Sequence, residues 1–265
     1  MSLQTIAFGS AHREVIAPFI YTDIFIAWGL YEYAGRSTKG ALDQYGLGAA
    51  SAPVTSGTFD LHKRLERALV AFLGLGGRGV SLFSSGYGVS TGTISAYMKP
   101  GSYIVLDRSA HMCMLEGAKL SGAKILYFRH NNIDHLKSIL TRIADGNARI
   151  LVCTEGVYSA DGDYGRVADI LEAPHRVRAK VLVDEAHSML VAGPNGRGVS
   201  EAQGVLEAVD SIVVTFSKAL GGVGGALIAN KALTQYVNWY ARCRMFSCAL
   251  DPAVTGGMIK ILELA

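Results

Sequence analysis

Four short stretches carry side chains able to do chemistry together. Val181-Leu-Val-Asp-Glu-Ala-His187 runs an apolar strand into Asp184, with His187 three residues on. Alone, it reads as a helix-capping aspartate and a satisfied histidine. Thr215-Phe-Ser-Lys-Ala-Leu-Gly-Gly222 ends a strand in two hydroxyls and a lysine, followed by glycines. Alone, Lys218 reads as an exposed turn lysine, the common fate of lysines. Ser84-Ser-Gly-Tyr-Gly88 sets Gly86 and Tyr87 where a strand gives way to a helix, a position whose free N–H groups suit an anion. His111 follows a further strand and Asp107.

Together these residues meet the needs of one cofactor, pyridoxal 5'-phosphate (PLP). PLP requires a lysine amine for an imine (Schiff base) and a carboxylate facing its ring nitrogen, since a protonated ring is the better electron sink. It also requires N–H groups and hydroxyls around a dianionic phosphate, and a flat group over the ring. Lys218 supplies the amine. Asp184 supplies the carboxylate, its charged form favoured by the pyridinium it would face. Gly86, Tyr87, Thr215 and Ser217 suit the phosphate, and His111 suits the ring face. Lys218, His111 and Asp184 are the expected catalytic residues.

These side chains need elements to carry them. From about residue 60 the pattern alternates between helix and strand. Thr58 is positioned to cap a helix running through His62, Leu65, Leu69 and Phe72. Strands are predicted over 80–83, 103–106, 124–128, 149–154, 181–183, 211–214 and 223–229. Helices are predicted after 84–88, over 112–121 with Gly122 as terminator, and over 133–144. Such alternation predicts an α/β fold with a mostly parallel sheet and helices on both faces. Sites in such sheets form at the carboxyl ends of strands, where the residues above fall.

Bulk composition narrows the class. The chain has 265 residues, half of them hydrophobic and 18% charged, so a sizeable core is expected. Net charge is +3 and the charges are scattered, so nothing resembles a nucleic-acid stripe and no nucleic-acid partner is expected. Cys113, Cys153, Cys243 and Cys248 form no CxxC pair and no zinc spacing; free thiols in a reducing cytoplasm and no metal are expected. Met1–Arg13 lacks a signal-peptide pattern, and no apolar run is long enough for a transmembrane segment. The apolar stretch Ile20–Leu30 suits a buried segment or a subunit contact. Gly221-Gly-Val-Gly-Gly225 lacks the spacing of a dinucleotide loop. His62, His130, His135 and His175 read as surface or structural histidines.

The ordered segments SGTFDLHKRLERALVAFLG (56–74), SSGYGVSTG (84–92), DRSAHMCMLEGAKLSGA (107–123), EGVYSADGD (155–163), VDEAHS (183–188), GRG (196–198) and TFSKALGG (215–222) resemble the α-oxoamine synthase family. The resemblance implies the large domain of a PLP-dependent transferase of the aspartate aminotransferase-like fold. It implies decarboxylative condensation of a small amino acid (glycine, alanine or serine) with an acyl thioester carried by CoA or a carrier protein. A homodimer and a place in lipid or biotin biosynthesis are implied as well. By motif, Lys218 matches the Schiff-base lysine, Thr215 a phosphate-site hydroxyl, Asp184 the partner of the ring nitrogen and His187 the contact to the ring's phenolic oxygen. His111 matches the stacking histidine, Gly86 and Tyr87 the phosphate loop, and Ser159 a serine beside the cofactor. Another PLP enzyme of the same fold (aminotransferase or lyase) and a non-catalytic partner subunit remain the alternatives.

Several places depart from the family pattern. No arginine occurs in Gly46–Pro53; Val89 and Ser90 stand where Ala-Asn is usual; and Ala27–Tyr33 replaces an Asn-Tyr-Leu-Gly segment. The family continues into a small C-terminal domain, so the expected organisation is an N-terminal segment (1–57), a PLP-binding large domain (58–240) and the start of a helix (241–265) leading to a domain missing from this chain.

Overall fold

The computed structural model describes residues 34–144, 148–173 and 179–265. The Ile20–Leu30 stretch, the Ala27–Tyr33 departure and His175 lie outside the described residues. Seven strands form one sheet: β1 (Gly79–Phe83), β2 (Tyr103–Asp107), β3 (Lys124–Phe128), β4 (Ile150–Glu155), β5 (Ala179–Asp184), β6 (Ser211–Thr215) and β7 (Gly225–Ala229). Their spatial order is β1-β7-β6-β5-β4-β2-β3. The β2–β3, β2–β4, β4–β5 and β5–β6 pairs are parallel, whereas β7 runs antiparallel to both β6 and β1. The α/β, mostly parallel expectation therefore holds, and β7 is the one reversed strand.

The buried strands are near-continuous apolar runs because both faces are covered. Alternate residues supply two cores, as the period of two demands. Val105, Val152, Val183, Val214 and Ile228 join Leu65, Leu69, Leu136 and Ile170 on one face. Ile104, Leu151, Leu182, Val213 and Leu227 join Val89, Ile94, Met114 and Val237 on the other. A helix over 34–45 is α1, and the first face is covered by α2 (Asp60–Leu73), α5 (Ile133–Ile143), α6 (Val167–Glu172) and α10 (Pro252–Leu264). The second is covered by α3 (Gly86–Tyr97), α4 (Met112–Ser121) and α8 (Lys231–Tyr240). Two short helices, α7 (Val199–Ala202) and α9 (Arg242–Met245), fill connections. Residues 241–265 add α10, whose Met258, Ile259, Ile261 and Leu262 share the core with α2.

Two local readings change. Thr58 does not cap α2: its hydroxyl donates to Pro53 O at 2.7 Å, and Phe59 occupies the cap position. The Phe59 N–H is satisfied instead by His62 Nδ1 at 2.9 Å. His62 is buried rather than set in polar surroundings, and its Nε2 contacts Leu250 O at 2.7 Å, tying α2 to the segment before α10. No helix among the described residues is long and apolar enough to cross a membrane.

Candidate active site

The carboxyl ends of β1, β2, β4, β5 and β6 lie along one edge of the sheet, and every residue proposed from sequence follows one of them. At the end of β1, Ser85 caps α3 by accepting from Gly88 N at 3.0 Å, leaving the Gly86 and Tyr87 N–H groups at a helix start. The end of β6 faces that helix start. A Cβ on Gly86 would stand 2.2 Å from Thr215 Oγ1, so only glycine admits so close an approach. Thr215 Oγ1 also pairs with Ser217 Oγ at 2.8 Å. Two hydroxyls and a helix N-terminus thus meet, and this donor set suits a phosphate. Tyr87 bonds Glu116 through its hydroxyl, and its ring stands edge-on to His111 with centroids 6.2 Å apart.

Asp184 ends β5 and is buried. It accepts from Ala186 N at 3.0 Å and Ser90 Oγ at 3.2 Å, while the Cys113 thiol lies 4.0 Å away. Burial raises its carboxyl from the ordinary 3.8 to about 6, against the opposing hydrogen bonds from Ala186 N and Ser90. His187 is buried in the turn after β5. On the adjacent strand, directly in register with Asp184, Glu155 is also buried. Burial, then the charge of Asp184, pushes Glu155 up to about 9, so Glu155 is the neutral member of the pair near pH 7.

His111 is the cap residue of α4; its Nδ1 accepts from Cys113 N at 3.2 Å and lies 3.0 Å from Cys113 Sγ. A ring nitrogen that accepts from a backbone N–H carries no proton, so the proton of the neutral ring sits on Nε2. Partial burial lowers the His111 pKa, and the charges of His187 and Lys218 lower it further. The His111 ring is therefore neutral, with an Nε2–H donor. Lys218 is half-buried in the β6–β7 connection, which is closed by Gly221 N donating to Lys218 O at 2.8 Å and Phe216 N to Gly224 O at 2.8 Å. Ser159 sits half-buried in the loop after β4, whose base is tied to β5 by Gly156 N donating to Asp184 O at 2.8 Å.

The model of the aminotransferase class I and II family matches residues 24–263. The chain belongs to that family. Serine palmitoyltransferase of Sphingomonas paucimobilis is 38% identical over 237 residues, covering 86% of this chain and 56% of the relative. The 8-amino-7-oxononanoate synthase of Geotalea daltonii is 36% identical over 224 residues, covering 84% of this chain and 56% of the relative. A structure of the S. paucimobilis serine palmitoyltransferase, bound to PLP and myriocin, superposes with a TM-score of 0.83 at 36% identity, covering 87% of this chain and 57% of that one. The resemblance to the α-oxoamine synthases holds, within the aminotransferase class I and II fold. The chain spans little more than half the length of these relatives.

The aminotransferase-family site suits PLP on its own geometry. Asp184 is a buried carboxylate whose hydrogen-bond donors, Ser90 and the Ala186 N–H, are neutral, and its raised pKa marks a charge that a pyridinium would compensate. Three residues around Asp184 were not singled out from sequence for this role. Ser90, noted only as a departure from the family's usual residue, donates to Asp184. Cys113 bridges the neighbourhoods of His111 and Asp184. Glu155 opens the EGVYSADGD segment, and a carboxylate ending a buried strand is the signal that could have marked it.

Proposed function

We propose that the protein carrying this chain is a PLP-dependent C-acyltransferase of the α-oxoamine synthase type. It condenses a small amino acid with an acyl thioester and releases CO2. The observation that carries the reading is the buried Asp184, linked through Cys113 to the neutral His111, with the Thr215–Gly86 cradle and Lys218 on the same sheet edge. When bound, PLP supplies an aldehyde for amines and a ring that accepts an electron pair.

The protein's own groups do the rest. Lys218 Nζ is the amine that would hold the cofactor and, as a free amine, would be the base that takes the substrate's α-proton. Asp184 would keep a positive charge on the ring nitrogen. His187 would hold the phenolic oxygen, and Ser159 would add a hydroxyl beside the ring. The α3 N-terminus at Gly86 and Tyr87, with Thr215, anchors the phosphate. His111 would cover the ring face, and its Nε2–H would orient the substrate carboxylate.

The relatives' names favour L-serine with a palmitoyl thioester, or the substrates of 8-amino-7-oxononanoate formation; glycine and alanine complete the set to screen. A homodimer fits the exposed Tyr87, Met112 and Val223 near the site, which a second copy would cover. Four free cysteines fit a cytoplasmic setting. Lys218→Ala should abolish the visible absorption band with PLP, and with it thioester-dependent release of CO2 and free CoA. A variant that keeps full turnover refutes the assignment. Products formed without CO2 release would point to an aminotransferase or lyase, and a PLP-binding protein without any turnover to a partner subunit.

A further inference from the structure

Glu155 is a buried carboxyl group for which the chemistry above has no use. Its Oε1 accepts the backbone N–H of His111 at 2.5 Å. That N–H belongs to the cap residue of α4 and precedes the helix, so no turn of α4 can satisfy it. The loop from β2 to α4 is otherwise held by Arg108 N donating to Phe128 O at 3.1 Å, Ser109 N to Asp107 Oδ1 at 2.9 Å and Ala110 N to Asp107 O at 3.0 Å, none of which reaches the His111 N–H. The His111 ring is held at its other end by Cys113, through Nδ1. Glu155 is therefore the contact that joins the His111 backbone to β4.

The register of the sheet makes that contact consequential. Glu155 stands directly opposite Asp184 in the β4–β5 ladder. The two carboxyl groups thus have a relative position fixed by backbone hydrogen bonds rather than by side-chain packing. Asp184 would set where a ring nitrogen sits, and Glu155 fixes the backbone of His111, the residue that would cover the ring face. We infer that Glu155 is a positioning residue, which aims His111 at the cofactor by accepting its main-chain N–H. The inference rests on the proposed PLP chemistry. It differs from a role for Glu155 as a charge or proton partner of Asp184, which needs an ionisable group, whereas a hydrogen-bond acceptor does not.

Glu155→Gln keeps an acceptor oxygen of the same reach and loses the titratable proton. Glu155→Met keeps bulk and loses the acceptor. The full-length protein is loaded with PLP and assayed with L-serine, L-alanine or glycine and an acyl-CoA, beside His111→Ala as the reference for a lost ring contact. Three quantities are read: bound PLP by absorbance, the induced circular dichroism of the PLP band, and kcat separately from KM.

The Gln variant should keep the dichroic band and a kcat within about threefold of the parent. The Met variant should bind PLP, change the dichroic band as His111→Ala does, and lose kcat by about 10²-fold, the scale of a misplacement near 1 Å. A folded, PLP-loaded Met variant with parental kcat and dichroism overturns the inference. So does a Gln variant as impaired as His111→Ala, because the acceptor alone would then be insufficient; this arm decides even if the Met variant fails to fold. A parent protein that binds no PLP and turns nothing over defeats the proposed function itself, an outcome distinct from either.

Discussion

Asp184→Asn should stabilise the cofactor-free chain while removing its chemistry. Burial raises the Asp184 carboxyl from 3.8 to about 6. At ~1.4 kcal/mol per pH unit, holding that group ionised in the folded state costs about 3 kcal/mol. The sign follows from proton linkage. The unfolded chain ionises Asp184 near its ordinary value, while the folded chain keeps the proton to a higher pH. Between those values the folded state binds more protons, so stability falls as pH rises from about 4 to about 6 and stays low above that. Asparagine carries no such penalty. Its Oδ1 can keep the Ala186 N–H bond, and its Nδ2 can donate to Ser90 Oγ, which accepts as readily as it donates. Loss of the Asp184 charge also relieves Glu155, whose carboxyl that charge pushes up.

Urea denaturation of parent and variant, without PLP, at pH values from 4 to 8 reads this directly. The variant's advantage should be small at pH 4 and grow to about 3 kcal/mol above pH 6. With PLP added, the order reverses, since the parent alone can pair the ring nitrogen. A variant less stable than the parent at pH 7.5 without PLP would refute the claim that Asp184 is a strained charge held for function.

Other outcomes follow from single contacts. Gly86→Ala puts a Cβ 2.2 Å from Thr215 Oγ1 and should weaken PLP binding at least about tenfold, read by titration of the visible band. Glu185 is fully buried and accepts from Val199 N, Ser200 N and the Ser188 and Ser200 hydroxyls. Glu185→Ala strands these donors and should cost at least about 3 kcal/mol in urea denaturation. His130 bonds Asp107 at 2.9 Å and Asp163 at 3.0 Å. Partial burial opposes its charge, but the hydrogen bonds and charges of Asp107 and Asp163 raise its pKa overall. The stability difference between parent and His130→Gln should therefore be largest below pH 6.5 and shrink as pH rises through the raised value; a pH-independent difference would contradict the ion pairing.

The strands were legible because each is a short, compact apolar run, and all seven appear close to their expected places. Helices with strong caps were legible too: Gly122, in left-handed conformation at φ 71°, ends α4 as its position suggested. Thr58 was misassigned because a hydroxyl can bond backward to a nearby carbonyl as well as forward to a helix, and Pro53 O won that competition. The reversed direction of β7 leaves no mark in a run of Gly-Ala-Leu-Ile-Ala, since a strand buried on both faces shows no alternation. Glu155 escaped notice for a related reason. Its significance depends on the β4–β5 register, and register is a tertiary fact that neighbouring residues do not encode.

The direction of β7 is also what brings the lysine to the rest of the site. Because β7 is antiparallel to β6 and β1, the β6–β7 connection turns back at the carboxyl edge, and Lys218 stays in that turn instead of leaving on a crossover helix. β1 then ends at the same edge and delivers Gly86 against Thr215. Parity does the remainder. Cys153, Leu182 and Val213 belong to the core under α3 and α4. Two residues on along each strand, Glu155, Asp184 and Thr215 share that face by the period of two. A single insertion within β4, β5 or β6 would send the corresponding carboxyl or hydroxyl to the opposite core. The site therefore tolerates change in its loops far better than a shift of one residue in these three strands.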